Sequence, residues 1–225
     1  MSKMTQKMIT ITAEDGHKFD AFRVTPTGAT KGGLVILQEI FGVTEQLKNV
    51  ARFWAEQGYD TILPAMYDRI KPEMVIEFND MDTAQAMGKK LEPDGVLNDI
   101  SATVMTVENR GGVSLIGFCW GGGAAARMAS LLNLKGAVSY YGTMLAENAA
   151  NGANCATLFH YGLSDLHSPP EIIDGVKRNM PDAESHIYEA GHAFANDARP
   201  DFYIEKAALE ARSRTLEFLD RVHKV

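Results

Sequence analysis

The sequence predicts an α/β protein: a mostly parallel sheet with an N-terminal antiparallel hairpin and helices on both faces. Three observations point there. Short apolar runs alternate with amphipathic stripes of helical spacing over most of the 225 residues, the order that builds parallel sheets through right-handed helical crossovers. Residues 34–37 (Leu-Val-Ile-Leu) are continuously apolar, as a strand covered on both faces is. A second apolar run, 113–116, leads into Gly117-Phe118-Cys119-Trp120-Gly121 and then into the small-residue run 122–126. That stretch reads as a strand turning abruptly into a helix.

The elements follow in order. Residues 8–12 and 19–24 alternate apolar and polar side chains around Glu14-Asp15-Gly16, a hairpin at the sheet's edge. A loop over 26–33 precedes the strand 34–37, which ends in Gln38-Glu39-Ile40-Phe41-Gly42. Thr44 is placed to cap a helix whose Leu47, Val50, Ala51, Trp54 and Ala55 share one face, and Gly58 ends it. Residues 61–64 form another strand. The span 65–93 is less regular, and its Met66, Met74, Met81 and Met87 read as fillers of irregular core gaps, the alternative being a flexible cover over a substrate pocket. Val96, Ile100, Val104 and Val107 line a helix that Gly111-Gly112 breaks. Beyond the elbow, 136–140 is a strand, 146–154 a loop of small and polar residues and 156–161 a strand. Ser168-Pro169-Pro170-Glu171 opens a helix with the stripe Ile172, Val176 and Met180, stopped by Pro181. Residues 186–188 are the last strand, and a helix from about 203 to 222 closes the chain. With no repeat and no linker, one domain over 1–225 is expected, large enough for a substantial core.

Bulk properties narrow the partners. A net charge of -7 argues against nucleic acid or an anionic membrane. Residues 1–7 lack the apolar core of a signal peptide, and no apolar run approaches membrane-spanning length. Only two cysteines occur, Cys119 and Cys155, which fits a reducing compartment. A cytoplasmic protein is expected; its oligomeric state is open.

The chemistry centres on the bend. Its middle residue projects at the carboxyl end of the sheet, where ligands of open α/β sheets bind, and here it is Cys119, a candidate thiol nucleophile. A free thiol near pKa ~8.5 is little ionised at neutral pH and needs a base. Of six histidines, His17 and His223 read as surface residues near the termini, and His160 and His186 as strand residues with satisfied positions. His167 and His192 each follow a strand. His192 is preferred: it follows the last strand, Gly191 permits a tight turn before it, and the order nucleophile, acid, histidine leaves room ahead of it. Asp165, after the preceding strand, would hold the imidazole tautomer; the bland alternative is a turn aspartate capping its own loop. The oxyanion requires backbone N–H donors, one from Trp120 and one near Glu39-Ile40. Glu39, ending an apolar strand, either accepts hydrogen bonds from a helix N-terminus or contacts the thiol. No metal-binding motif and no dinucleotide or phosphate loop is visible; Gly121-Gly122-Gly123 reads as helix packing.

Gln38-Glu39-Ile40-Phe41-Gly42-Val43, Gly117-Phe118-Cys119-Trp120-Gly121-Gly122, Tyr161-Gly162 with Asp165, and Gly191-His192-Ala193-Phe194 together resemble the dienelactone hydrolase family (carboxymethylenebutenolidases) over nearly the whole chain. The resemblance implies an α/β-hydrolase fold and cofactor-free hydrolysis of a small-molecule ester or enol-lactone by a Cys-His-Asp triad. It implies that Glu39 contacts the resting thiol and moves away when substrate binds, and that the amides of Ile40 and Trp120 form the oxyanion hole. The resemblance also implies that a substrate carboxylate is held by arginines, as in the well-studied dienelactone hydrolases. Where one closely follows the histidine motif, this chain has Asn196, with Arg199 three residues on. Where the other lies before the elbow, Met81 and Gln85 stand here, with Arg69 a candidate replacement. Phe41, Arg69, Phe194, Asn196 and Arg199 are therefore the candidate substrate contacts. Two other readings stay open: a non-catalytic or redox-sensing protein using Cys119 as an oxidisable thiol, and the same triad acting on thioesters or peptides.

Overall fold

The computed structural model describes residues 4–108 and 111–224. The chain divides into two compact units, one running to Val113 and the other starting at Ser114.

In the first unit, β1 (Met4–Thr12) and β2 (Lys18–Pro26) form the expected hairpin, with Met8 opposite Phe22 and Thr12 opposite Lys18. The turn is closed by the Ala13 N–H donating to the His17 carbonyl at 2.8 Å. β2 runs antiparallel to β4 (Tyr59–Pro64), and β4 runs parallel to β3 (Gly32–Leu37), giving the order β1-β2-β4-β3. β3 and β4 are buried along their whole length, which is what a continuous apolar run requires. Helix α1 (Glu45–Glu56) starts where the Thr44 Oγ1 accepts from the Leu47 N–H at 3.3 Å, a cap of a kind that contributes about 1 kcal/mol. Its Leu47, Ala51, Trp54 and Ala55 are buried, and Gly58 leaves it at φ +98°.

The irregular span after β4 contains a 3₁₀ turn (Met66–Arg69) and α2 (Met81–Gly88), which the Asp80 carboxylate caps. Met66 is buried, and Met74 and Met87 pack on the cluster of Phe41, Tyr67, Ile76 and Ala84. Met81 is exposed. Core filling thus holds for three of the four methionines. Helix α3 (Pro93–Val107) buries Val96, Ile100, Val104 and Val107, the stripe the spacing predicts. His17 is not a plain surface residue: it stacks on Phe19 with its Nε2 3.9 Å from Asp99.

In the second unit, β5 (Val113–Phe118), β6 (Gly136–Tyr140), β7 (Ala156–Gly162) and β8 (Glu184–Tyr188) are parallel and adjacent in sequence order. Between them run α4 (Trp120–Leu131), the single-turn α5 (Leu145–Asn148) and α6 (Pro170–Asn179), and α7 (Glu205–His223) follows. The region expected to be a loop therefore holds a short helix. The stripe of α6 is also shifted: Ile173, Val176 and Met180 are buried, while Ile172 packs from the margin. His223 bonds the Ser114 hydroxyl at 2.9 Å and is half-buried rather than a surface residue. Phe118, Tyr140, His160 and His186 form one row across the four strands. The chain past each of them consequently emerges at the same edge.

Among the described residues, no helix is long and apolar enough to cross a membrane.

Candidate active site

Cys119 sits between β5 and α4 with φ +54° and ψ −117°. A β-carbon in that region costs on the order of 1–3 kcal/mol, so surrounding bonds must hold it. They do: the Cys119 N–H donates to the Tyr140 carbonyl at 3.0 Å, and its carbonyl accepts from Gly122, Gly123 and Thr143 at 3.0, 3.2 and 3.1 Å. Gly117 is dictated by the same bend, because a β-carbon there would run into the Gly121 carbonyl. Cys119 retains 8% exposure. Trp120 opens α4, so its N–H has no carbonyl within the helix to bond. The other thiol, Cys155, is pushed up to about 11 by burial, which keeps it protonated.

Asp165 and His192 lie on the loops after β7 and β8. Those loops are stitched together by the Leu163 N–H on the Tyr188 carbonyl at 2.8 Å and the Ser164 N–H on the Ala190 carbonyl at 3.0 Å. Across that seam the His192 Nδ1–H donates to Asp165 Oδ2 at 2.8 Å, and the His167 N–H donates to Oδ1 at 2.9 Å. With Nδ1 taken, Nε2 is the ring nitrogen left for another partner, and Cys119 is among the groups that raise the His192 pKa. Burial alone would lower the His192 pKa; the hydrogen bond to Asp165 and the interactions with Cys119 and Asp165 overcome it and push it up to about 10. At neutral pH His192 is therefore an imidazolium.

Gly191, expected to permit the turn into His192, has an ordinary φ and open space around it. The left-handed residue is Ala193, at φ +60°. Phe194 is fully buried between the rings of Tyr141 and Tyr188, at 5.3 and 5.2 Å. Asn196 is buried and accepts the Ala198 N–H on its own side chain at 3.1 Å. Arg199 lies 4.1 Å over the Phe202 ring. In the first unit, Glu39 is buried, the Ile40 carbonyl accepts from the Tyr67 hydroxyl at 2.7 Å, and Phe41 packs edge-on against Phe78 at 4.9 Å. Arg69 forms a two-pronged pair with the buried Asp99 at 2.8 and 2.7 Å and reaches Asp15 at 2.9 Å.

One neighbour of His192, Tyr141, escapes sequence reasoning; the other, His167, is the histidine that the sequence also places directly after a strand. Tyr141 meets the His192 ring edge-on at 5.2 Å, and its place directly after β6 was the available signal. His167 lies 4.8 Å from the same ring. His160 is buried between the Tyr188 hydroxyl (2.8 Å) and Thr215 (2.9 Å), and burial holds its pKa well below the ordinary imidazole value; it is a core histidine, as its strand position predicts. Among the described residues, no three His, Cys, Asp or Glu side chains are placed to hold a metal ion.

Comparisons with known proteins bear on the fold and the family. The model of the dienelactone hydrolase family matches residues 19–223. A carboxymethylenebutenolidase of Pseudomonas sp. strain P51 is 32% identical over 99% of this chain and 98% of its own length, and one from Pseudomonas putida is 30% identical over 96% and 97%. A Klebsiella pneumoniae protein solved by crystallography and assigned as a dienelactone hydrolase superposes with a TM-score of 0.86 at 26% identity, covering 96% of this chain and 98% of that one. Fold, family model and relatives converge: the chain has the α/β-hydrolase fold and belongs to the dienelactone hydrolase family of hydrolases.

Proposed function

We propose that the protein hydrolyses small-molecule esters or lactones through Cys119, His192 and Asp165 by way of an acyl-thioester. The observation that carries the reading is the Asp165–His192 hydrogen bond on the loops after β7 and β8, with Cys119, on the strained bend after β5, among the groups that raise the His192 pKa. The Cys119 thiolate attacks the carbonyl carbon, and the carbonyl electrons move to oxygen. Trp120 N–H faces that oxyanion, a contribution on the order of 3 kcal/mol per donor. Collapse breaks the C–O bond, and the leaving oxygen takes the His192 proton. Neutral His192 then removes a proton from water, the hydroxide attacks the thioester, and collapse returns sulfur as thiolate beside imidazolium while releasing the acid. Asp165 holds the Nδ1–H tautomer throughout. For Glu39 as a contact of Cys119 before substrate binds and for the Ile40 amide as second donor, support comes from the family resemblance alone.

The test is a panel of aryl esters and enol-lactones. Wild type turns them over, Cys119→Ala and His192→Gln do not, and intact-mass spectra of wild type quenched during turnover show an acyl adduct on Cys119. Undiminished turnover by Cys119→Ala refutes the assignment.

A further inference from the structure

We propose that His167 is a positioning residue for this site: its imidazole packs against the His192 ring and holds that ring in line with the Cys119 sulfur. The proposal rests on the hydrolytic reading above. A single Nδ1–H bond to Asp165 fixes where the His192 ring is anchored but leaves it free to turn about that bond. Two further rings remove the freedom. Tyr141 meets it at 5.2 Å with 68° between planes, and His167 at 4.8 Å with 55°.

His167 acts on both partners at once, because its own N–H binds the Asp165 oxygen that His192 does not use, at 2.9 Å. The backbone of residue 167 orients the carboxylate, and the side chain orients the base. A charged ring there would repel the imidazolium. His167 is solvent-exposed, yet partial desolvation against the site, and next the charge of His192, lower its pKa from the ordinary imidazole value, against a smaller opposing pull from Asp165. The neighbouring Leu166 is 93% exposed and supplies a control on the same turn.

The experiment compares His167→Ala, His167→Phe and Leu166→Ala by steady-state kinetics on an aryl ester and by the rate at which iodoacetamide alkylates Cys119, followed by peptide mass mapping. Since misplacing a reacting group by about 1 Å costs on the order of 100-fold, His167→Ala is expected to lose about 10- to 100-fold in kcat with KM within about twofold. Alkylation of Cys119 slows in parallel. His167→Phe, which restores a flat ring, recovers most of both, and Leu166→Ala matches wild type. Wild-type kcat and alkylation in His167→Ala, or equal damage in His167→Phe and His167→Ala, overturns the proposal. Absence of ester turnover in wild type would instead sink the hydrolase reading, and the alkylation rates would still decide the role of His167.

Discussion

His192 is the residue on which charge is concentrated. Its folded pKa of about 10 stands above the ~6.5 of a free imidazole, so its protonated form is favoured by the fold. The sign follows: this stabilisation is fully present below pH ~6.5 and is lost as pH rises through about 10. Two of the supports come from Cys119. Cys119→Ala is therefore expected to lower the His192 pKa, read from the NMR titration of its ring protons; an unchanged titration curve would show that sulfur and imidazole do not interact. In activity, kcat/KM for acylation stays level on the alkaline side of neutrality and declines only as His192 loses its proton near pH 10. A decline centred near pH 7 contradicts a resting imidazolium. Asp165→Asn keeps the shape but replaces the carboxylate by an amide that favours the wrong tautomer, a change worth about 10⁴-fold in kcat in a related triad. Loss of a few-fold only would make Asp165 a turn residue.

At the scale of elements, the junction of α4 with β6 sets where Cys119 stands. A β-carbon on Gly122 would lie 2.9 Å from Gly142 Cα, from the Ser139 hydroxyl and from the Tyr140 carbonyl. Gly122→Ala must push the helix outward, and overpacking of this kind costs about 1–3 kcal/mol, or a drop in Tm of roughly 2–12 °C for a chain of this size. Differential scanning fluorimetry measures it, and an unchanged Tm would mean that the helix is not seated by its small residues. The same tight seat made the elbow legible, since a row of small residues directly after an apolar run has one common use, the close seating of a helix on its strand. Thr44, the strand of residues 34–37 and the stripe of α3 were legible for a similar reason: each is a local signal with one structural meaning. Elsewhere the signal was too short or ambiguous. α5 is four residues long, barely one helical turn. In α6 the spacings 172-176-180 and 173-176-180 are both helical, and only the packing against Phe159 and Tyr161 selects Ile173. α2 buries Ala84 alone, so it has no stripe to read. The His192 turn placed its positive φ on Ala193 rather than on a glycine, which no residue type announces.

For the molecule as a whole, charge bears on which substrates it accepts. The chain carries -7, and a field of that sign disfavours anions in solution. Arg69, the replacement candidate for a carboxylate clamp, already faces Asp99, which is fully buried, and Asp15. Offering its guanidinium to a substrate would strand the buried Asp99 carboxylate, and breaking such a pair costs about 3–5 kcal/mol. Asn196, where the family has an arginine, bonds its own loop through the Ala198 N–H. A matched pair of aryl esters that differ only in a carboxylate on the acyl chain, butyrate against hemisuccinate, should therefore show the neutral ester favoured by at least about tenfold in kcat/KM, a difference of about 1.4 kcal/mol. Arg69→Met sharpens the choice. If Arg69 is structural, the variant loses several degrees of Tm, because Asp99 is left buried without its cation, and discrimination between the two esters does not change. If Arg69 clamps substrate, the variant leaves Tm alone and selectively raises KM for the hemisuccinate; that outcome, or a wild-type preference for the charged ester, defeats a charge-based preference for neutral substrates.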